Sequence, residues 1–196
     1  MAEETLRLYE DVEYHDRPEL DHTYEDLKVK VRLPKPDRLV EARKVLARID
    51  AGEKIRGMQM IMAFGAVRLQ EEYDKNPVDT LPIHAVRIGN VALVTQPCEL
   101  YCQFGLDIKR RSPAPITAVV GLADGYCGYC PTIYGLLGGG YSGEPIYWTR
   151  LEPYAGYRIV ETAGPMLNRL WRQAGVGPVP TGRSNDDQAS GRHGES

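Results

Sequence analysis

The chain has 196 residues, of which 42% are hydrophobic and 26% are charged, and its net charge is -3. This length fits one domain or a large piece of one. Lys and Arg are scattered and do not alternate with aromatic residues, so we expect no nucleic-acid partner. No window reaches the ~18 apolar residues of a membrane span, and the first residues lack the apolar core of a signal peptide. We therefore expect a cytoplasmic protein that is not transmembrane.

The first part of the chain predicts one strand and two helices. Residues 1–23 mix acidic, His and Tyr residues without a steady period, and we predict an irregular lead-in. Apolar and charged residues alternate over 27–33, which predicts a half-buried strand. Apolar residues at helical spacing predict helices over 37–49, with Asp37 as the N-cap, and over 53–73.

The middle of the chain predicts a hairpin followed by a strand-helix-strand unit. Residues 81–88 alternate, a Gly-Asn pair supplies a turn, and 91–95 is an apolar run. A helix is predicted over 99–111 and a buried strand over 116–122. Because a strand, a helix and a strand in this order form a βαβ unit, the two strands should be parallel.

Residues 125–141 are rich in Gly and Tyr, a composition that lets the backbone and phenol groups approach a ligand. A last helix is predicted over 157–173. The tail from 175 to 196 is rich in Gly, Pro and Ser, and we predict that it is disordered. These elements predict an α/β fold over residues 24–174, with a mixed sheet, a parallel βαβ unit and flanking helices.

Two candidate site residues follow the two predicted parallel strands. Glu99 comes after the first strand and Tyr129 after the second. Since ligands bind beyond the carboxyl ends of parallel strands, we expect both side chains at one edge of the sheet. A carboxylate and a phenol are oxygen ligands suited to a cation such as zinc. In the simpler alternative, Glu99 is an acid at a helix start and Tyr129 is a packing residue.

Four features occur in the order and at the spacing of a known family. They are a strand leading to a Pro-x-Glu turn at Glu99, a helix from about residue 104, a Tyr-x-x-Tyr segment ending at Tyr129, and a Gly-Gly-Tyr sequence at Tyr141. Together they resemble the neutral and alkaline ceramidases. The helix predicted over 37–49, with the Ala-Gly-Glu-Lys sequence after it, is also similar to bacterial ceramidase-like proteins, so the resemblance extends over residues 33–171. The resemblance covers only the C-terminal part of the family's catalytic domain.

This resemblance implies a zinc-dependent amidase. In the family a zinc ion is held by two histidines, a glutamate and a tyrosine, and Glu99 and Tyr129 stand at the last two positions. Tyr141 stands where a tyrosine stabilises the oxyanion of the amide tetrahedral intermediate, a contribution of ~3 kcal/mol. Zinc lowers the pKa of bound water to ~7 and polarises the carbonyl. The implied substrates are N-acyl amides or lipids, with ceramide, a sphingolipid, in the best-known members.

The sequence departs from the family in its histidines. The family's histidine ligands come from the N-terminal part of the domain, which this sequence lacks. None of His15, His22, His84 and His193 stands in the family's ligand context, and we interpret them as surface or packing residues. Because zinc sites use three or four protein ligands, we expect half of a zinc site on an incomplete half of a larger domain. Such a chain should be inactive unless a missing N-terminal half is supplied.

The cysteines suggest an alternative of another class. Cys98 and Cys102 form one pair, and Cys127 and Cys130 form another. Four thiolates could bind structural zinc or an iron-sulfur cluster, and the second pair alone has the spacing of a redox CxxC motif. A further alternative is a non-enzymatic remnant or binding module that keeps the fold of the half-domain.

Overall fold

Six helices and six strands are present in the computed structural model, which describes residues 2–14 and 16–173. The helices in this part of the chain are α1 (Ala2–Glu10), α2 (Pro36–Asp50), α3 (Met58–Tyr73), α4 (Cys102–Arg111), α5 (Ile133–Leu137) and α6 (Ala155–Gln173). The strands are β1 (Leu20–Lys30), β2 (Val78–Ile88), β3 (Val91–Thr95), β4 (Cys98–Leu100), β5 (Ile116–Val120) and β6 (Gly128–Cys130). None of the helices in the described residues has the length and hydropathy of a membrane span.

The main sheet has four strands in the order β1-β2-β3-β5. Strands β1, β2 and β3 pair antiparallel, and β3 pairs with β5 in parallel. This topology confirms the predicted α/β class, the hairpin between β2 and β3, and the βαβ unit in which α4 precedes the second parallel strand. A second sheet consists of the two short strands β4 and β6, which are also parallel.

The core lies on one face of the main sheet. Alternate residues of β2, Leu81, Ile83 and Ala85, are fully buried, as are Ile159 and Leu167 of α6. Burial of every second residue follows from the two-residue period of a strand, which sends successive side chains to opposite faces. Helices α2 and α3 pack on each other in a smaller cluster with Ile146.

The opposite face of the main sheet carries an exposed aliphatic row. The strand registers place Leu20 beside Ile88, Ile88 beside Val91, and Val91 beside Ile116, so that the row crosses all four strands. Leu20, Ile88 and Ile116 are exposed, and Val91 is half-buried. Parallel strands are normally covered on both faces, so this face resembles a surface that another segment would cover.

Several predicted boundaries are wrong. The lead-in predicted as irregular contains α1 and the start of β1. The second helix begins at Met58 rather than at residue 53, because Gly57 before it has a left-handed φ of 70°. The N-cap of α2 is Lys35 rather than Asp37, because the helix already begins at Pro36.

Glu99 lies on β4 rather than at a helix start, which removes the simpler interpretation of this residue. The tail from 175 to 196, His15 and His193 lie outside the described residues.

The closest packing between helices generates a stability prediction. A Cβ added at Gly156 of α6 would lie 2.3 Å from Cε2 of Phe104, which is fully buried. We expect Gly156→Ala to lower the free energy of unfolding by about 1–3 kcal/mol, because overpacking a core forces side chains and backbone to shift. The measurement is the midpoint of urea unfolding at an unchanged slope.

The matched control is Gly105→Ala in α4, where an added Cβ meets nothing within 4 Å. This substitution should stabilise the protein by roughly 0.5–1 kcal/mol, because alanine loses less conformational entropy in a helix. Equal stability of the two variants would contradict the packing assigned to Gly156 and Phe104.

Candidate active site

The pairing of β4 with β6 brings the two predicted oxygen ligands together. In this parallel pair Cys98 lies opposite Gly128, and Glu99 lies opposite Tyr129. Gly128 has a φ of 75°, and a Cβ there would lie 2.4 Å from the carbonyl oxygen of Trp148. Only glycine fits this position. The expected proximity of Glu99 and Tyr129 is confirmed, although their roles as ligands stay predictions.

The Glu99 carboxylate has two phenol neighbours. A hydrogen bond to Glu99, together with the negative charge of that carboxylate, raises the pKa of Tyr129. Burial and the charge of Glu99 raise the pKa of Tyr126, whose hydroxyl donates to Glu99 Oε1 at 3.5 Å. Tyrosine phenols are protonated at neutral pH even at their ordinary pKa, and these shifts oppose their ionisation further. Sequence reasoning missed Tyr126, although it begins the Tyr-x-x-Tyr segment.

The ring of Tyr141 contacts the rings of both Tyr129 and Trp148. The ring centroids of Tyr129 and Tyr141 are 5.6 Å apart in an edge arrangement, and Tyr141 stacks on Trp148 at 5.7 Å. The indole ring of Trp148 in turn packs against α3 at Gly65, where an added Cβ would lie 3.0 Å from that ring. The structure therefore brings all three candidate residues, Glu99, Tyr129 and Tyr141, to one place. Nothing in the sequence pattern indicated the supporting role of Trp148.

Arg150 anchors the loop that carries the phenols. Its guanidinium is 3% exposed, donates to Asp79 Oδ2 at 2.6 Å, and donates to the carbonyls of Tyr126 and Tyr147 at 2.8 Å each. Burial opposes the charge of Arg150, but the Asp79 carboxylate outweighs burial and raises the pKa of Arg150. A buried guanidinium of this kind needs its carboxylate partner. Strand β2, which carries Asp79, is thereby tied to the Tyr126 loop.

Glu99 also lines a cavity of about 500 Å³ between α4 and the end of β5. Its walls include the aliphatic side chains of Leu100, Leu106, Val119 and Leu122. Lys109 of α4 also lines the cavity, alongside these aliphatic side chains. A cavity with an apolar wall and a few polar groups is the usual form of a small-molecule site.

The described histidines pair with each other rather than with Glu99. His22 Nε2 lies 2.9 Å from His84 Nδ1, and His84 Nε2 lies 3.0 Å from the Asp124 carboxylate, on the exposed face of the main sheet. Within residues 2–14 and 16–173, no three His, Cys, Asp or Glu side chains are arranged to hold a metal ion. The described part of the chain thus supplies the carboxylate and phenol of the predicted site without a third ligand of these types.

The four cysteines do not converge. Cys98, Cys127 and Cys130 are buried, whereas Cys102 is exposed on α4, and all four are free thiols. Hydrogen bonds with the thiols of Cys127 and Cys130, followed by burial, raise the pKa of Cys98. A protonated thiol packed in the core is a structural residue. Cys102 stands apart from this buried group, and the described residues show no four-cysteine metal site.

Comparison with solved structures gives the fold of part of a ceramidase. The neutral ceramidase from Pseudomonas aeruginosa is 20% identical, with a TM-score of 0.50 over 86% of this chain and 30% of that one. A ceramidase complexed with C2 is 14% identical, with a TM-score of 0.48 over 86% of this chain and 32% of that one. No family model and no curated protein matches. The chain spans about a third of the length of these structures, and at this identity the likeness shows the fold alone.

The buried ion pair of Arg150 generates a prediction about the stability of the site. We expect Asp79→Ala to lower the free energy of unfolding by about 3–5 kcal/mol, because it leaves a buried guanidinium without its carboxylate. Chemical denaturation measures the loss.

The control is Glu161→Ala, which removes the exposed partner of Arg111. Its expected cost is below ~1 kcal/mol, because solvent screens exposed ion pairs. If both variants lost equally little stability, Arg150 would not be the anchor of the phenol loop.

Proposed function

We propose that this chain is the glutamate-tyrosine half of a ceramidase-like, zinc-dependent amide hydrolase. The observation that carries the proposal is the β4–β6 pairing, which sets Glu99 against Tyr129 with Tyr141 alongside. The substrate class is an N-acyl amide of the ceramide type, which would give the complete enzyme a role in sphingolipid metabolism. The ceramidase-like fold supports this reaction class by analogy.

The donor chemistry of the site fits half of a zinc coordination sphere. Glu99 offers a carboxylate and Tyr129 a phenol, both oxygen ligands that zinc accepts. Glu99 raises the pKa of the Tyr129 phenol, and a bound cation would oppose this shift by favouring the ionised phenol. The remaining ligands must come from residues outside the described part of this chain, because zinc needs three or four.

The tyrosines and the cavity would divide the other tasks of amide hydrolysis. A bound zinc would supply Lewis acidity and an activated water. Tyr141 would donate a hydrogen bond to the oxyanion that develops when the amide carbonyl becomes tetrahedral. The aliphatic wall at Leu100 and Leu106 would receive the apolar part of the substrate.

A second polypeptide segment would complete the site. The exposed row formed by Leu20, Ile88, Val91 and Ile116 crosses the whole main sheet, and soluble proteins seldom leave such an apolar surface bare. Together with the missing ligands, this surface supports a histidine-bearing partner segment, the counterpart of the N-terminal part of a ceramidase domain. The chain would then be inactive alone.

The test combines zinc binding with complementation. The chain is mixed with a purified histidine-bearing N-terminal segment of a ceramidase domain, and bound zinc and hydrolysis of a short-chain fluorogenic N-acyl amide are measured. We expect Glu99→Ala to abolish bound zinc. Tyr141→Phe should keep zinc but lower kcat by about 10²–10³, the effect of removing one oxyanion donor.

The matched control is Tyr154→Phe, at an exposed tyrosine just before α6, and it should leave zinc and hydrolysis unchanged. Zinc retained in Glu99→Ala but lost in Cys127→Ser would overturn the assignment in favour of the thiols. If the mixture binds zinc but hydrolyses no amide, the chain belongs to the alternative class, a binding module that keeps the fold of a hydrolase.

A further inference from the structure

One segment of the chain is free of charge and strongly exposed. Residues 125–143 contain no Asp, Glu, Lys, Arg or His, although 26% of the whole chain is charged. Within this segment Tyr134 is 85% exposed and Leu137 is 80% exposed, the highest values among the large apolar side chains of the described residues. Both belong to the short helix α5. Side chains three positions apart on a helix are neighbours, so Tyr134 and Leu137 form an exposed apolar patch, which is the informative feature of a water-facing surface.

Hydrogen bonds and close packing hold the two ends of this segment in place. The Thr132 side chain accepts a hydrogen bond from the Gly135 amide, which caps α5. Gly135 packs so closely on Tyr101 that an added Cβ would lie 3.0 Å from that ring, and the Tyr101 hydroxyl lies 2.5 Å from Ser142 Oγ. Tyr134 and Leu137, which we call the apolar tip, therefore belong to a segment whose two ends are held by hydrogen bonds and close packing.

The tip and the candidate site lie on the same loop. The chain leaves the site at Tyr129, passes through α5, and returns to the site at Tyr141, whose ring is 5.6 Å from that of Tyr129. Near the return, Gly139 and Gly143 approach so closely that a Cβ on Gly143 would lie 2.7 Å from Gly139 Cα. This contact closes the loop, so that a surface bound at α5 would stand next to the site.

We propose that α5 and the following glycines dock on an electrically neutral lipid surface and present amphiphilic substrates to the adjacent site. The proposal rests on the proposed function and deepens it. Tyr and Leu are residues that partition into the boundary between lipid and water. The absence of Lys and Arg from the segment points to zwitterionic rather than anionic lipid. A protein partner would require a larger patch with a polar rim than the two exposed side chains of α5 provide.

The first experiment is flotation of the full chain with phosphatidylcholine vesicles. We expect the wild-type chain to float with the vesicles, and the double variant Tyr134→Ser/Leu137→Ser to lose about tenfold or more of the bound fraction. The control is Tyr154→Ser, which removes another exposed aromatic side chain, 60% exposed, just before α6. This control should bind like the wild type. Circular dichroism verifies that all three proteins are folded.

A second measurement reports the position of the tip directly. In Leu137→Trp the new indole should show a blue-shifted emission with vesicles and quenching by brominated lipid, relative to the wild type with its two tryptophans. The same substitution at an exposed site away from the tip, Tyr154→Trp, should show neither effect. Blue shift and quenching in the first variant alone support insertion of α5.

The outcomes separate this proposal from the proposed function. No flotation of the wild type, equal loss in Tyr154→Ser, or flotation only with anionic vesicles would each overturn lipid docking through α5. The complementation assay uses a soluble short-chain amide and no lipid, so hydrolysis there survives such a failure. If the lipid proposal holds, Tyr134→Ser/Leu137→Ser keeps hydrolysis of the soluble amide and loses hydrolysis only of an amide presented in vesicles.

Discussion

The candidate site depends on one close approach of two backbones. Gly128 takes a left-handed conformation under the carbonyl of Trp148, and the next amide, of Tyr129, donates to that same carbonyl at 2.8 Å. This contact positions β6 so that it can pair with β4, and the pairing sets Glu99 beside Tyr129. A carboxylate and two phenols gain little from each other in water, so backbone geometry, rather than their mutual attraction, accounts for the cluster.

The buried guanidinium of Arg150 links the loop at Tyr126 to the main sheet. Arg150 joins the carbonyl of Tyr126 to Asp79 on β2, and burial in a region of low dielectric makes each of these hydrogen bonds stronger than it would be in water. The same burial raises the pKa of Tyr73, near Arg150, to about 12. The site loop is therefore tied to the main sheet, and this preorganisation is what the proposed catalysis would require.

Local periodicity predicted the elements that have two distinct faces. Helix α2, helix α6 and the β2–β3 hairpin follow their apolar patterns, because one side of each is buried. The first half of β1 does not follow an apolar pattern. The sheet face that carries His22 and Tyr24 is uncovered, so apolar and polar residues need not alternate there. Strands β4 and β6 are three residues long, too short for a period. The proximity of Glu99 and Tyr129 was nevertheless predictable from parallel strand ends, whereas the support from Trp148 and Arg150 arises only in tertiary structure.

One loop connects the uncovered face of the main sheet to the candidate site. Residues 121–129 carry Asp124, which binds His84 on the open face, and Tyr126, which contacts Glu99. Leu122 and Asp124 in this loop have φ values of 55° and 56°, conformations that cost energy for residues other than glycine. A partner segment covering the open face would therefore press on the same strained loop that positions Tyr126. Under the proposed function, completion of the ligand set and alignment of the phenols would then be coupled.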